Sequence, residues 1–154
     1  MNKTLVFDMD GTLVDLYGVE DWLTQLRAYN PNPYIIAKPL HDMEVIKSLL
    51  EVLKAQGWRI VVTSWLSKET TPEYDAMVRL AKPYWLDLYE FPYDELHFVK
   101  YGTTKAECTR KLGGYQVLVD DNEQVRKGWH LGNTIDPVHE NLVVELINLI
   151  MTEF

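Results

Sequence analysis

Leu5-Val6-Phe7-Asp8-Met9-Asp10-Gly11-Thr12-Leu13-Val14-Asp15 is the stretch whose reading decides the fold. Its apolar run, Leu5 to Phe7, has the length of a fully covered parallel strand and ends abruptly in two carboxylates, a glycine and a threonine. In open parallel sheets ligands sit beyond the carboxyl ends of the strands, where Asp8 and Asp10 would stand. Successive strand residues face opposite ways, so Met9 turns away while the two aspartates share a side, provided extended geometry persists through Asp10. Gly11 permits the turn that follows. Taken alone, Asp8-Met9-Asp10-Gly11 is equally an ordinary strand-ending turn, because Asp and Gly are common turn residues.

The remaining chain repeats the pattern of an apolar run closed by polar groups. The early segment predicts a helix over Val19 to Tyr29, with Trp22, Leu23 and Leu26 on one face, stopped by Asn30-Pro31-Asn32-Pro33. From Asp42 an amphipathic helix carries Met43, Ile46, Leu50 and Leu53, with Gly57 as terminator. A strand Arg59 to Val62 then ends in Thr63-Ser64-Trp65. Thr71-Pro72 starts a helix expected to run to Lys82, and Trp85 to Asp94 has no clear assignment. Leu96 to Val99 reads as a third strand; Thr103 or Thr104 would cap a helix reaching Leu112, ended by Gly113-Gly114. Val117 to Val119 is a fourth strand, closed by Asp120-Asp121-Asn122. Last come a short strand at Thr134-Ile135, a helix start at Asp136-Pro137, and a helix carrying Leu142, Val143, Leu146, Ile147 and Ile150. Strands alternating with helices predict an α/β protein, a Rossmann-like, mainly parallel sheet with helices on both faces. Residues 1–154 are expected to form one domain, with a small helical cap or flap at about 16–39.

Composition narrows the function classes. A chain of 154 residues that is 47% hydrophobic supports one sizeable core. The net charge of −8 argues against duplex nucleic acid as a partner, while small phosphorylated molecules remain open. The single cysteine, Cys108, excludes an intramolecular disulfide and, with no targeting segment in view, a cytoplasmic location is the expectation.

Parallel strands would gather Asp8, Asp10, Thr63, Asp120 and Asp121 along one edge of the sheet. Two unit charges about 4 Å apart repel by roughly 4 kcal/mol at an effective dielectric of 20, so several carboxylates there call for a cation. Oxygen donors with no histidine or thiolate pattern suit Mg²⁺.

Asp8-Met9-Asp10-Gly11-Thr12 resembles the first motif of the haloacid dehalogenase-like phosphohydrolases, Asp-x-Asp-Gly-Thr, and the later polar strand ends fall in that family's order. The resemblance implies a nucleophile at Asp8 that forms an aspartyl-phosphate, and a general acid/base at Asp10. It implies a metal held by Asp8, the Asp10 carbonyl and a carboxylate from Asp120 or Asp121. Thr63, with Ser64 beside it, would bind phosphoryl oxygens. A lysine would balance charge: Lys105, in the first turn of a helix, fits the family position better than Lys100 at the strand end. Retention of Asp10 favours phosphate hydrolysis over carbon–halogen chemistry. Within the family the motifs look most like the 5′(3′)-deoxyribonucleotidase group and small phage or bacterial relatives, which implies nucleoside monophosphates as substrates. Tyr17, Trp22, Tyr29, Tyr34 and Trp65 would either stack a base or form the flap's own core. A polynucleotide-end or sugar-phosphate phosphatase, a non-catalytic binding protein on the same fold, and a homo-oligomer stay open.

Overall fold

A computed structural model describes all 154 residues. Its strands are β1 (Lys3–Phe7), β2 (Trp58–Trp65), β3 (Glu95–Val99), β4 (Tyr115–Val119) and β5 (Thr134–Ile135), in the spatial order β3-β2-β1-β4-β5 with every neighbouring pair parallel. The sheet is therefore wholly parallel rather than mainly so, in the Rossmann-like class. Seven α-helices accompany it: α1 (Trp22–Arg27), α2 (Asn32–Ile36), α3 (Met43–Ala55), α4 (Pro72–Leu88), α5 (Ala106–Thr109), α6 (Glu123–Lys127) and α7 (Leu142–Met151). No helix is long and apolar enough to cross a membrane.

Strand alternation sorts the core into two faces. Leu5 and Phe7 of β1, Ile60 and Val62 of β2, and Val117 and Val119 of β4 pack with α3 and α7 in the larger cluster. Val6, Val61 and Leu118 face the opposite way, against Ala106 and Trp129. Phe7 lies level with Val62 on one side and Val119 on the other. Consequently Asp8, Thr63 and Asp120, each one residue further on, stand level with one another, Asp8 and Asp120 just past the carboxyl ends of β1 and β4 and Thr63 still inside β2. The three central strands β1, β2 and β4 are buried on both sides because helices cover both faces of the sheet.

Several boundaries differ from those expected, each for a physical reason. The helix foreseen over Val19 to Tyr29 is a 3-10 turn at Leu16–Gly18 followed by the short α1. Asn30 to Pro33 does interrupt the chain, yet it also seeds α2, since proline is tolerated in the first turn of a helix. Helix α4 is capped by the Thr71 hydroxyl as expected, but it runs through Pro83 to Leu88 instead of stopping at Lys82. An interior proline costs about 3 kcal/mol. Burial of Leu86 returns about 1.5–3 kcal/mol, and that of Trp85, some 200 Å² of ring, about 5 kcal/mol, so continuation wins. The helix expected from Thr103 or Thr104 starts only at Ala106, and neither threonine caps it; the Thr103 hydroxyl donates to the Lys100 carbonyl. Asp136-Pro137 forms a turn, in which Asp136 accepts from the backbone N–H groups of Val138 and His139. Helix α7 starts later, capped by Asn141.

Candidate active site

Beyond Phe7 the backbone N–H of Asp8 still donates to the Val119 carbonyl at 2.9 Å, carrying the ladder one residue past β1. Met9 turns into the larger core, and its carbonyl accepts from the N–H groups of Thr12, Leu13 and Val14. This winds the loop tightly. Gly11 sits at φ +80°, and a Cβ there would overlap a carboxylate oxygen of Asp121 and lie 2.9 Å from the Tyr17 ring. Any side chain at position 11 would therefore push apart the groups that the loop assembles.

The Asp8 carboxylate is buried and held at both oxygens. Lys105 donates to Oδ1 at 2.6 Å, and the Thr12 hydroxyl lies 2.9 Å from Oδ2. The same ammonium donates to Oδ2 of Asp120 at 2.9 Å. The Thr12 hydroxyl also stands 3.2 Å from Oδ1 of Asp121 and accepts from the Asp121 N–H at 3.1 Å. One hydroxyl hydrogen cannot serve Asp8 and Asp121 at once, so one of these carboxylates lacks a full donor set. Arg126 donates to the Asp120 carbonyl at 2.9 Å and pairs with Asp136 at 3.3 Å, bracing the Asp120-Asp121 loop from behind.

Oxygens of Asp8, Asp120 and Asp121 all lie within 4.8 Å of one another. Burial and the neighbouring Asp8 charge push the Asp120 carboxyl up to about 6 and the Asp121 carboxyl up to about 8. Burial pulls the Lys105 ammonium down, but Asp8 and Asp120 beside it more than reverse this, so it stays firmly protonated. The cluster thus has more negative charge than its single lysine offsets. Three convergent carboxylates with no nitrogen or sulfur donor fit a hard divalent cation, and these residues could hold one.

Thr63 lies on the same face of the sheet as Asp8, on the adjacent strand and one residue beyond the level pair. Its hydroxyl is buried and has no hydrogen-bond partner. Ser64 points to the opposite face, and its hydroxyl accepts from Lys82 at 2.6 Å. The structure therefore gathers Asp8, Thr63, Lys105, Asp120 and Asp121, and attaches Ser64 instead to Asp10 through Lys82, which donates to Asp10 Oδ2 at 3.0 Å. Lys100 is exposed and makes no ion pair.

Sequence reasoning did not single out Lys82. The signal was present: Tyr74, Val78, Ala81, Lys82 and Trp85 make the buried stripe of α4, and a lysine in such a stripe must find partners inside.

A cleft of about 480 Å³ opens above these groups, within the range of small-molecule sites. Asp8, Asp10 and Lys105 form its floor, and its walls include Tyr17, Trp22, Tyr29, Tyr34 and Trp65. The aromatics differ in burial. Tyr34 is core, buried with Leu16, Tyr74 and Val78, its hydroxyl 2.7 Å from that of Ser67. Tyr17, edge-on to Trp22 at 4.9 Å, and Tyr29 leave about half of their surface exposed. Trp65 packs on Tyr101 at 5.2 Å, and its indole N–H donates to the Thr103 carbonyl.

No protein-family model matches the chain, and no curated protein matches it. Among solved structures, a chain of the Pnkp1/Rnl/Hen1 RNA repair complex superposes with a TM-score of 0.55 at 22% identity. The match covers 86% of this chain and 42% of that one, so this protein spans less than half the length of its neighbour. What the likeness establishes is a shared α/β parallel-sheet fold.

Proposed function

We propose that the protein is a Mg²⁺-dependent phosphomonoester hydrolase of the haloacid dehalogenase-like type, acting on nucleoside monophosphates through an aspartyl-phosphate. The observation that carries this reading is the Asp8 carboxylate, fixed by Lys105 and Thr12 within a carboxylate cluster at the floor of an aromatic-walled cleft. An oxygen of Asp8 attacks phosphorus as the bond to the leaving oxygen breaks, its electron pair departing with that oxygen, which takes a proton from Asp10. Water then attacks the aspartyl-phosphate, Asp10 takes the water's proton, and Asp8 is released with inorganic phosphate. In this reading the Lys105 ammonium, which lines the cleft, holds the phosphoryl oxygens, and the Thr63 hydroxyl, fully buried on the strand beside Asp8 and without a partner, is the second donor assigned to them. Asp8, the Asp10 carbonyl, and Asp120 or Asp121 would hold the magnesium, which when bound would supply electrostatic stabilisation of the transferring phosphoryl group.

Exposed aromatic faces beside the cleft favour a flat base over a hydroxyl-rich sugar. Stacking contributes roughly 1–3 kcal/mol per base, about one to two orders of magnitude in selectivity. A second reading, hydrolysis at a polynucleotide end, is supported by a groove of about 230 Å³ that shares Trp65, Lys105 and Val125 with the main cleft and could take a further nucleotide. The name of the structural neighbour, an RNA repair complex, is compatible with it.

The test is a panel of nucleoside monophosphates, hexose phosphates and 3′- or 5′-phosphorylated oligonucleotides, assayed with Mg²⁺ or chelator. Nucleoside monophosphates should show the highest kcat/KM, and Asp8→Asn should lower turnover by on the order of 10⁴–10⁶ with the fold retained. Full activity of that variant would falsify the mechanism. Better turnover of oligonucleotide ends would favour the second reading, and that of hexose phosphates would reduce the aromatics to packing.

A further inference from the structure

Lys82 is completely buried. A buried ammonium is tolerated only when its hydrogens are matched, and here all three are. They go to Oδ2 of Asp10 at 3.0 Å, Oγ of Ser64 at 2.6 Å and the carbonyl of Trp65 at 3.0 Å. The Tyr34 ring closes over the ammonium, 4.8 Å from it. With no donor left over, Lys82 cannot also bind a phosphoryl oxygen. What it joins is the end of β2, the Asp10 loop and the α2 segment.

Asp10 is the group that this arrangement constrains. Its Oδ1 is buried with no partner, while the side chain as a whole keeps 20% exposure. Asp10 lines the cleft, and with Oδ1 buried the carboxylate can meet a substrate only through Oδ2, the oxygen that Lys82 grips. The Lys82 hydrogen takes one lone-pair direction of Oδ2 and leaves the other for the substrate.

We infer that Lys82 is a positioning residue for Asp10, fixing Oδ2 toward the leaving oxygen of the substrate through a relay anchored on Ser64 and Trp65. The inference rests on the hydrolase reading, in which Asp10 delivers a proton to the leaving oxygen as the phosphorus–oxygen bond breaks. Lys82 keeps its own three hydrogens throughout. Its contribution is geometric, and a carboxylate displaced by about an ångström transfers a proton poorly.

A leaving-group comparison isolates this role, because a leaving group that departs readily as an anion needs no protonation. kcat/KM, which reports phosphoryl transfer to Asp8, is measured for a nucleoside monophosphate and for p-nitrophenyl phosphate in the wild type, Asp10→Asn, Lys82→Met and Ser64→Ala. Lys82→Met should follow Asp10→Asn, losing about 10²–10³-fold on the nucleotide and less than about tenfold on p-nitrophenyl phosphate. Ser64→Ala, which keeps the ammonium but removes one anchor, should shift both values in the same sense by a smaller factor. A purely structural lysine would lower both substrates equally; that result overturns the inference, as does a Lys82→Met enzyme that matches the wild type while Asp10→Asn separates the two. The side-chain carboxyl NMR signal of Asp10 gives a readout independent of turnover. It should be single and ordered in the wild type and motionally averaged in Lys82→Met or, if that variant does not fold, in Ser64→Ala. An Asp10 signal unchanged in the folded variants rejects the inference even if no phosphate ester is hydrolysed, whereas a mobile Asp10 in an inactive protein would reject only the hydrolase reading.

Discussion

Adding Mg²⁺ should stabilise the fold measurably, and the carboxylate cluster sets the scale. Unit charges 4.8 Å apart repel by about 3–4 kcal/mol at an effective dielectric of 20. Lys105 offsets this for Asp8 and Asp120 at 2.6 and 2.9 Å, but Asp121 has only the shared Thr12 hydroxyl and its own loop. A divalent cation bound to the folded state alone and present at a hundredfold its Kd adds about 2.7 kcal/mol. For a chain of this size that raises Tm by about 5–10 °C. The assay is thermal unfolding at pH 7.5 in 5 mM MgCl₂ against chelator, at matched ionic strength, for the wild type and Asp121→Asn. Asp121→Asn should unfold at a higher temperature than the wild type in chelator, because at pH 7.5 folding forces this carboxyl either to take up a proton or to carry the least compensated charge, and the amide avoids both. Where Asp121 ligates the ion, the variant should also lose most of the Mg²⁺ shift. A wild-type Tm unmoved by Mg²⁺, together with an Asp121→Asn Tm unmoved in chelator, would refute the claim that these carboxylates form an unrelieved cluster.

Two further outcomes follow from the same groups. Lys105→Ala should destabilise by about 3–5 kcal/mol and lower activity sharply, since it strands two buried carboxylates, whereas Lys100→Ala should stay within about 0.5 kcal/mol; activity assays and denaturant titrations of both variants decide, and a larger activity loss at Lys100 overturns the assignment. In chelator, the folded protein binds more protons than the unfolded chain between about pH 4 and 8, because the Asp120 and Asp121 values are raised, so this contribution to stability is full at the acid end and lost as pH rises. His41, lowered by burial, acts in the opposite sense in both proteins, so the check is the difference in Tm slope between wild type and Asp121→Asn: the wild type should fall more steeply toward pH 8.

How much was legible in the sequence depended on whether a feature is local or long-range. The apolar runs ending at Asp8, Thr63 and Asp120 announced buried parallel strands, and the caps at Asp42 and Thr71 announced helix starts, because periodicity and capping act within a few residues. The extent of α4 was not legible: Pro83 argues locally for a stop, and only the core that receives Trp85 and Leu86 overrides it. The opposed directions of Thr63 and Ser64 follow from strand alternation, but which face held the site became clear only once Lys105 arrived from across the sheet.

Lys82 marks the limit most sharply. Its place among the apolar residues of α4 is written in the chain, yet its partners Asp10, 72 residues away, and Ser64, 18 residues away, meet it only through the packing of α4 beside β2. By itself the sequence determined the strands, the Thr71 cap and the carboxylate-bearing strand ends, all fixed by short-range sterics and hydrophobic period. The tertiary structure alone decided which cation faces which carboxylate, because desolvation and Coulomb energy depend on distances that only the folded chain sets.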